Sequence, residues 1–226
     1  MESLGRLAAG VAHEVKNPLA IILMGVEYLN SRCVDSESST TFVLGDIASA
    51  ACRADTVIKG LLEFAGPRQL VLERGDLRTV IAQSVAFVKH VATRYHVVVL
   101  EDIDEDLPFV NHDANKLEQA FVNIFINALD AMPQGGTLGV RAYSRQMGET
   151  GGQTGRRRTD RFRIGQTVIV VEIDNAGQSI PEDCLGRIFE PFFTTKPTGK
   201  GTGLGLAVTK TIVELHGGII AIGLGL

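Results

Sequence analysis

Apolar positions along this chain follow two rhythms, and the change between them divides the molecule. In the first third they recur at helical spacing. Ala8, Val15, Ile22 and Leu29 repeat every seven residues, with Ala12, Leu19 and Val26 filling the alternate seam. Further on, Leu44, Ile47, Ala51, Ala54, Ile58, Leu61 and Ala65 alternate steps of three and four. Such a stripe buries itself against partner helices. The polar, serine-rich stretch from Ser31 to Thr41 has the length of a hairpin loop. A lone helical hairpin has too little core, so two copies are expected to pair into a four-helix bundle. Pro18 falls inside the first helix and should kink or loosen it.

Gly66-Pro67 ends the second helix, and the texture changes after a linker at 67–75. The pattern predicts a helix from Leu77 to about His90, a strand from Val97 to Leu100, and a short strand near Phe109-Val110. A helix follows from Asp113 to Ala131, with Asp113 as its N-cap. Pro133 to Gly136 turn the chain into a strand from Thr137 to Tyr143. Thr167 to Ile173 form another strand, and Leu204 to His216 a last helix. This order predicts an α+β sandwich with helices on one face of a sheet. Gln146 to Gly165 reads as a hairpin tip whose Arg156-Arg157-Arg158 run is solvated; a docking or phosphate-attracting role is the alternative. A further strand is expected to begin just before Leu224-Gly225-Leu226, which predicts a truncated sandwich.

Composition narrows the class. The chain has 226 residues, 45% apolar and 21% charged, as in a soluble globular protein of one large or two small domains. A net charge of -4 argues against a nucleic-acid binder. Cys33, Cys52 and Cys184 fit no metal or disulfide spacing, so reduced thiols in a cytoplasmic protein are expected. No apolar run approaches the roughly 20 residues that span a bilayer, and no signal-peptide pattern opens the chain. No direct membrane contact is expected of it.

Chemistry concentrates in a few places. In His13-Glu14-Val15-Lys16-Asn17-Pro18, the i, i+4 spacing puts His13 and Asn17 on one helix face. Glu14 lies beside them, placed to take a proton from the imidazole or to orient it. Asn123 and Asn127 stand one turn apart among apolar residues, and buried amides need partners. A ligand or hydrated metal would supply them; neighbouring loops are the plain alternative. Ile173-Asp174-Asn175-Ala176-Gly177-Gln178-Ser179-Ile180-Pro181 leaves a strand. Phe189-Glu190-Pro191-Phe192-Phe193-Thr194-Thr195-Lys196 follows, then Gly199-Lys200-Gly201-Thr202-Gly203-Leu204-Gly205 opens the last helix. Glycines there let backbone approach a phosphate, and a helix N-terminus offers free N–H groups.

Together these motifs resemble the sensor histidine kinases of two-component systems, in the family's order and spacing over nearly the whole chain. His13 to Pro18 is similar to the family's H box, and Asn123 to Ala131 to its N box. Ile173 to Pro181 resembles the G1 box, Phe189 to Lys196 the F box, and Gly199 to Gly205 the G2 box. The wording around His13 and Phe193 resembles the nitrogen-regulation and metal-response branch. The resemblance implies a helical hairpin at 1–66 forming a dimeric four-helix bundle, the linker at 67–75, and a Bergerat-type ATP-binding α/β sandwich at 76–226, C-terminally truncated. It implies autophosphorylation of His13 from ATP, transfer to an aspartate on a response regulator receiver domain, and Asn17 positioning water for the reverse reaction. Asn127 would hold Mg²⁺ with the ATP phosphates, assisted by Asn123. Asp130, Gly177, Ile180, Phe189 and Thr195 would complete the nucleotide site with Gly201, Thr202, Gly203, Leu204 and Gly205. Lys196 or Lys200 would help neutralise phosphate charge, unless either is a solvated lid residue.

The G1 segment departs from the family, which usually carries an aspartate for the adenine amino group and then Gly-x-Gly. Strand alternation favours Val171, Ile173 and Asn175 on one face, with Asn175 at the aspartate position and Ser179 at the second glycine. A shifted alignment keeps Asp174 but puts Glu172 on the core face. Asn175 is preferred and Asp174 is the alternative. ATP-hydrolysing relatives carry a water-activating glutamate where Asn123 stands. A chaperone-type ATPase and a degenerate kinase acting only in dimerisation and docking are the rival readings.

Overall fold

A computed structural model describes residues 19–29, 44–45, 47–49, 51–52, 54–55, 58, 69–148, 162–196 and 201–223. The chain divides into two compact units. One comprises Met1–Pro67 with Glu190–Ala207, the other Arg68–Phe189 with Val208–Leu226.

The described residues of the hairpin are all helical: 19–29 in α1, and those between 44 and 58 in α2. Their seam is only partly buried. Val26 is buried in α1, and Leu44, Ala51 and Ile58, seven residues apart, are buried in α2. Leu19 and Ala54 are half-buried, and three seam positions face outward: Ile22 is 44% exposed, Leu29 48% and Ile47 40%. The seam positions Ala8, Ala12, Val15, Leu61 and Ala65, and Pro18, lie outside the described residues.

The second unit is a helix-on-sheet sandwich. Its strands are β1 (Glu73–Gly75), β2 (Val97–Ile103), β3 (Val110–His112), β4 (Gly136–Gln146) and β5 (Thr167–Asn175). Its helices are α3 (Leu77–Arg94), α4 (Ala114–Asp130), the short α5 (Glu182–Leu185) and α6 (Gly205–Leu215), which begins in the other unit. β1 pairs antiparallel with β3. The larger sheet has the order β2-β4-β5, β2 parallel to β4 and β4 antiparallel to β5.

Helix α3 forms because Asp76 caps it, accepting the Arg78 N–H at 2.9 Å, ahead of buried residues at three- and four-residue steps: Leu77, Val80, Ile81, Ser84, Val85, Val88 and Ala92. The Ser84 hydroxyl donates to the Val80 carbonyl at 2.8 Å, so its burial leaves no polar group unpaired. On α4, Phe121, Phe125 and Leu129 meet Leu138, Val140 and Ala142 of β4 in one core with the α3 stripe.

Several boundaries differ from those the pattern predicts. Helix α3 runs one turn past His90 because Ala92 is still core-facing. Strands β2, β4 and β5 extend to Ile103, Gln146 and Asn175 along their shared ladders. The three-residue β1 lies within the expected linker and is drawn into the sandwich by pairing with β3. Helix α5 has no apolar stripe to announce it. Residues 218–223 carry neither helix nor strand, and Leu224–Leu226, where the further strand is expected, lie outside the described residues. The β4–β5 hairpin closes through the Met147 N–H on the Gln166 carbonyl at 2.9 Å and the Gly165 N–H on the Met147 carbonyl at 2.7 Å. Its arginine run lies outside the described residues, as does Cys33; Cys52 and Cys184 are free thiols. No helix among the described residues is long and apolar enough to cross a membrane.

Candidate nucleotide site

The register of β4 and β5 decides which side chains the sandwich turns toward its helices. Leu138 pairs with Asn175, Val140 with Ile173, and Ala142 with Val171. Antiparallel partners share a face, and Leu138, Val140 and Ala142 are fully buried under the helices. Asn175 therefore ends a strand on the α4 side of the sheet. Asp174 pairs with Gly139 on the opposite face; a Cβ built on Gly139 would lie 3.8 Å from that of Asp174. The Arg141–Glu172 ion pair, 3.5 Å, marks that same outer face. A one-residue shift would exchange the faces, so Asp174 and Asn175 cannot substitute for one another.

Asn123 and Asn127 are half-buried on α4, one turn apart, and Asp130 lies a further turn along. Asp130 accepts a hydrogen bond from the Tyr95 hydroxyl at 3.1 Å, at the end of α3. That bond and the carboxylate's charge push the Tyr95 phenol up from its ordinary pKa. Tyr95 had no sequence signal, because its partner is 35 residues away. Asp130 is thus tied into the sandwich as well as placed beside Asn127.

The turn after β5 is seated on the end of this helix. Gln178 donates its N–H to the Ala131 carbonyl at 3.2 Å, and Ala176 donates to the Thr137 carbonyl at 3.1 Å. Gly177 has to be glycine: an added Cβ would stand 2.4 Å from the Ala131 carbonyl oxygen. The Asn175 Oδ1 accepts the Gly177 N–H at 3.0 Å, an Asx turn that holds the amide at the strand's end. Ile180 and Phe189 are half-buried, and Lys210 places its Nζ 5.6 Å from the Phe189 ring centroid.

The described residues on either side of 197–200 make tight local contacts. Phe192 donates its N–H to the Gly203 carbonyl at 2.9 Å, and both residues have left-handed backbone, φ 68° and 67°. A Cβ on Gly203 would lie 2.4 Å from the Phe192 carbonyl carbon, so conformation and space both demand glycine there. Gly201 faces Thr194, whose Oγ1 would be 2.9 Å from an added Cβ. That hydroxyl also accepts the Lys196 N–H at 3.1 Å, while Thr195 is exposed and Lys196 half-buried. Thr202 Oγ1 accepts the Leu204 N–H at 3.3 Å, and buried Leu204 anchors the turn just before α6 starts at Gly205.

His13, Glu14, Asn17 and Lys200 lie outside the described residues. Among the described residues no three His, Cys, Asp or Glu side chains gather to hold a metal ion. The donors along α4 are the amide oxygens of Asn123 and Asn127 and the Asp130 carboxylate, which suit a hard cation shared with phosphate oxygens rather than a closed protein cage.

Known proteins share this combination. The family model for histidine kinase-, DNA gyrase B- and HSP90-like ATPases matches residues 112–225, and that for the His kinase A (phospho-acceptor) domain matches residues 3–69. The chain belongs to this ATPase family, and with the phospho-acceptor domain ahead of it, it is a histidine kinase core. Among curated relatives, the sensor histidine kinase ZraS of Escherichia coli (strain K12) is 33% identical over 220 residues, 97% of this chain and 42% of ZraS. The chain thus spans less than half the length of that relative. Two solved structures share the fold. ShkA in complex with AMPPNP has a TM-score of 0.69 at 19% identity, covering 93% of this chain and 41% of ShkA. ThkA in complex with the response regulator protein TrrA has a TM-score of 0.59 at 23% identity, covering 95% of this chain and 56% of that one.

Proposed function

We propose that this chain is the catalytic core of a two-component sensor kinase, which phosphorylates His13 from ATP and passes the group to an aspartate of a response regulator. The observation that carries the reading is the presence, in order, of a phospho-acceptor domain and an ATPase-type sandwich with amides, not acids, at Asn123 and Asn127. Asn123 has no basic oxygen with which to activate water, which spares ATP for a protein nucleophile. In this reading the neutral imidazole of His13 attacks the γ-phosphorus in line. An N–P bond forms as the bond to the ADP oxygen breaks, and the ring proton passes to Glu14 or to water. Asn17 positions water for the reverse, phosphatase step.

Asn127, with Asn123 and Asp130 along the same stripe, would hold Mg²⁺, whose charge when bound offsets that of the phosphates. Asn175, rather than Asp174, faces the base, with Gly177 and Ile180 shaping that end of the site and Phe189 beside it. Backbone N–H groups from Gly201 to Gly205, and Lys196 or Lys200, approach the phosphates. The hairpin at 1–66 pairs with a second copy, supported by the outward-facing Ile22, Leu29 and Ile47. The catalytic domain is 76–226, joined through 67–75, whose last three residues pair with it as β1, and it works on the cytoplasmic side. Nothing in the net charge of -4 favours a nucleic-acid partner. The wording of the H and F boxes aligns the chain with the nitrogen-regulation and metal-response branch.

Incubation with γ-labelled ATP should leave acid-labile label on the protein that His13→Ala abolishes. Label that persists in that variant overturns the assignment. Failure of the parent chain to bind a fluorescent ATP analogue would point instead to a degenerate kinase, the reading that Asn175 and Ser179 favour.

A further inference from the structure

Three segments far apart in sequence meet at Asp113. Its Oδ1 accepts the Lys116 N–H at 3.1 Å and caps α4, while its Oδ2 accepts the Val71 N–H at 3.0 Å. The backbone N–H of Asp113 donates to Nε2 of His216 at 3.0 Å, across 103 positions of sequence. His216 bonds the Ile212 carbonyl through Nδ1 at 2.8 Å. A carbonyl can only accept, so Nδ1 carries the proton and Nε2 is left as the acceptor. Asp113 is buried, so losing that acceptor leaves its N–H short of a protein partner.

The three partners are not equivalent in what they connect. Val71 lies on the covalent path from the helical hairpin into β1. Helix α4, which starts at this cap, carries Asn123 ten residues along, about 15 Å at helical rise. His216 closes α6, the helix that begins at the Gly203 turn. A capping residue needs only its own first turn. Asp113 also reaches back to the incoming segment, and it is gripped from behind by the end of another helix.

We propose that Asp113 and His216 form a positioning joint for the kinase reaction, fixing the start of α4 against the end of α6 and tying both to the segment that arrives from the hairpin. Displacement of that segment at Val71 is then transmitted to the helix bearing Asn123 and Asn127. His216 acts through Asp113 and touches no nucleotide. The proposal rests on the reading of α4 as the nucleotide helix.

The test compares His216→Leu, which removes the acceptor, with His216→Gln, whose amide oxygen can reach the same N–H. Both are made in the full chain and read by the KM for ATP and kcat of autophosphorylation, and by amide hydrogen exchange at Val71, Asp113 and Lys116. His216→Leu should raise the KM for ATP about tenfold with kcat within about twofold, and speed exchange at Val71 about tenfold. His216→Gln should restore both to within about twofold of the parent. A merely structural histidine would instead lower kcat through a smaller active fraction and leave the KM in place. An unchanged KM, unchanged exchange at Val71, or a glutamine variant as impaired as the leucine variant would each overturn the joint. If the leucine variant does not fold, His216→Asn, with its amide drawn back by one methylene, takes its place against His216→Gln under the same expectations. If the parent binds no ATP the kinase reading fails by itself, and exchange at Val71 still decides whether His216 controls the incoming segment.

Discussion

The two faces of the β2-β4-β5 sheet are built on opposite terms. On one, Leu138, Val140 and Ala142 are fully buried against α3 and α4. On the other, Arg141 stands between Asp102 at 3.1 Å and Glu172 at 3.5 Å, and the Tyr143 hydroxyl donates to Glu172 at 3.0 Å. Val98 and Leu100 on that outer face are 60% and 57% exposed. One strand contributes to both environments, since β5 puts Ile173 and Asn175 on the inner face and Glu172 and Asp174 on the outer. A single step along the chain separates a side chain on the α4 side of the sheet from one on the opposite face. In the proposed reading, face is therefore a better guide than chemical likeness to a family aspartate: Asp174 carries that group on the face turned away from α4.

The comparison breaks most severely from within the inner face. Leu138 is buried opposite Asn175, so Leu138→Ala opens a cavity beneath the strand end. Large-to-small changes at such positions cost about 2–5 kcal/mol, and a fall of that size in unfolding free energy by urea titration is expected. A loss under about 1 kcal/mol would mean that the core closes over the gap, and that the inner face is less rigid than its burial implies.

At the strand end the two neighbouring residues can be set against each other directly. Asn175→Asp restores a charged acceptor on the inner face. Hydrogen bonds to charged groups contribute about 1.5–3 kcal/mol against about 0.5–1.5 for neutral ones. Affinity for a fluorescent ATP analogue should rise about tenfold. Asp174→Asn should leave that affinity within about twofold, because its side chain projects from the other face. The reverse ranking would place Asp174 at the base and refute the reading of Asn175.

These faces are legible in the sequence, because a period of two in Val171, Ile173 and Asn175 is a local property. So is the Asp113 cap, announced by an aspartate ahead of an apolar helical stripe. What sequence could not reveal depends on distant partners. The residues Glu73–Gly75 have no strand pattern of their own and become β1 only through pairing with Val110–His112. The need for glycine at 177 comes from the Ala131 carbonyl, and Tyr95 and His216 acquire their roles from Asp130 and Asp113. Local rhythm wrote the elements and their faces, whereas the ties that hold the candidate site are long-range.

Asp113 offers a smaller effect with a definite sign. Burial pushes its carboxyl up, but the N–H groups of Val71 and Lys116 outweigh that and hold it below the usual range. The folded value lies under the unfolded one of about 3.9. Its contribution is therefore complete above that pH and is lost as pH falls through the folded value. Asp113→Asn should flatten the acid limb of the stability curve below about pH 4 and leave its shape unchanged near neutrality. Curves that stay parallel down to about pH 2 would show that the carboxylate charge at this cap contributes nothing.

The smallest effect belongs to the outer face. Arg141 reaches Asp102 and Glu172, but its side chain is 57% exposed and theirs 76% and 42%, so all three are substantially hydrated. Exposed pairs of this kind contribute about 0.2–1 kcal/mol, and the long arginine side chain loses rotamer freedom to make them. Arg141→Ala leaves both carboxylates in water rather than buried and unpaired. It should cost no more than about 0.5 kcal/mol in urea titration at low salt. At about 1 M salt, where the screening length shrinks to about 3 Å, the difference from the parent should vanish. A larger loss that survives high salt would mean that the arginine's methylenes pack on the sheet, and that the outer face carries structure of its own.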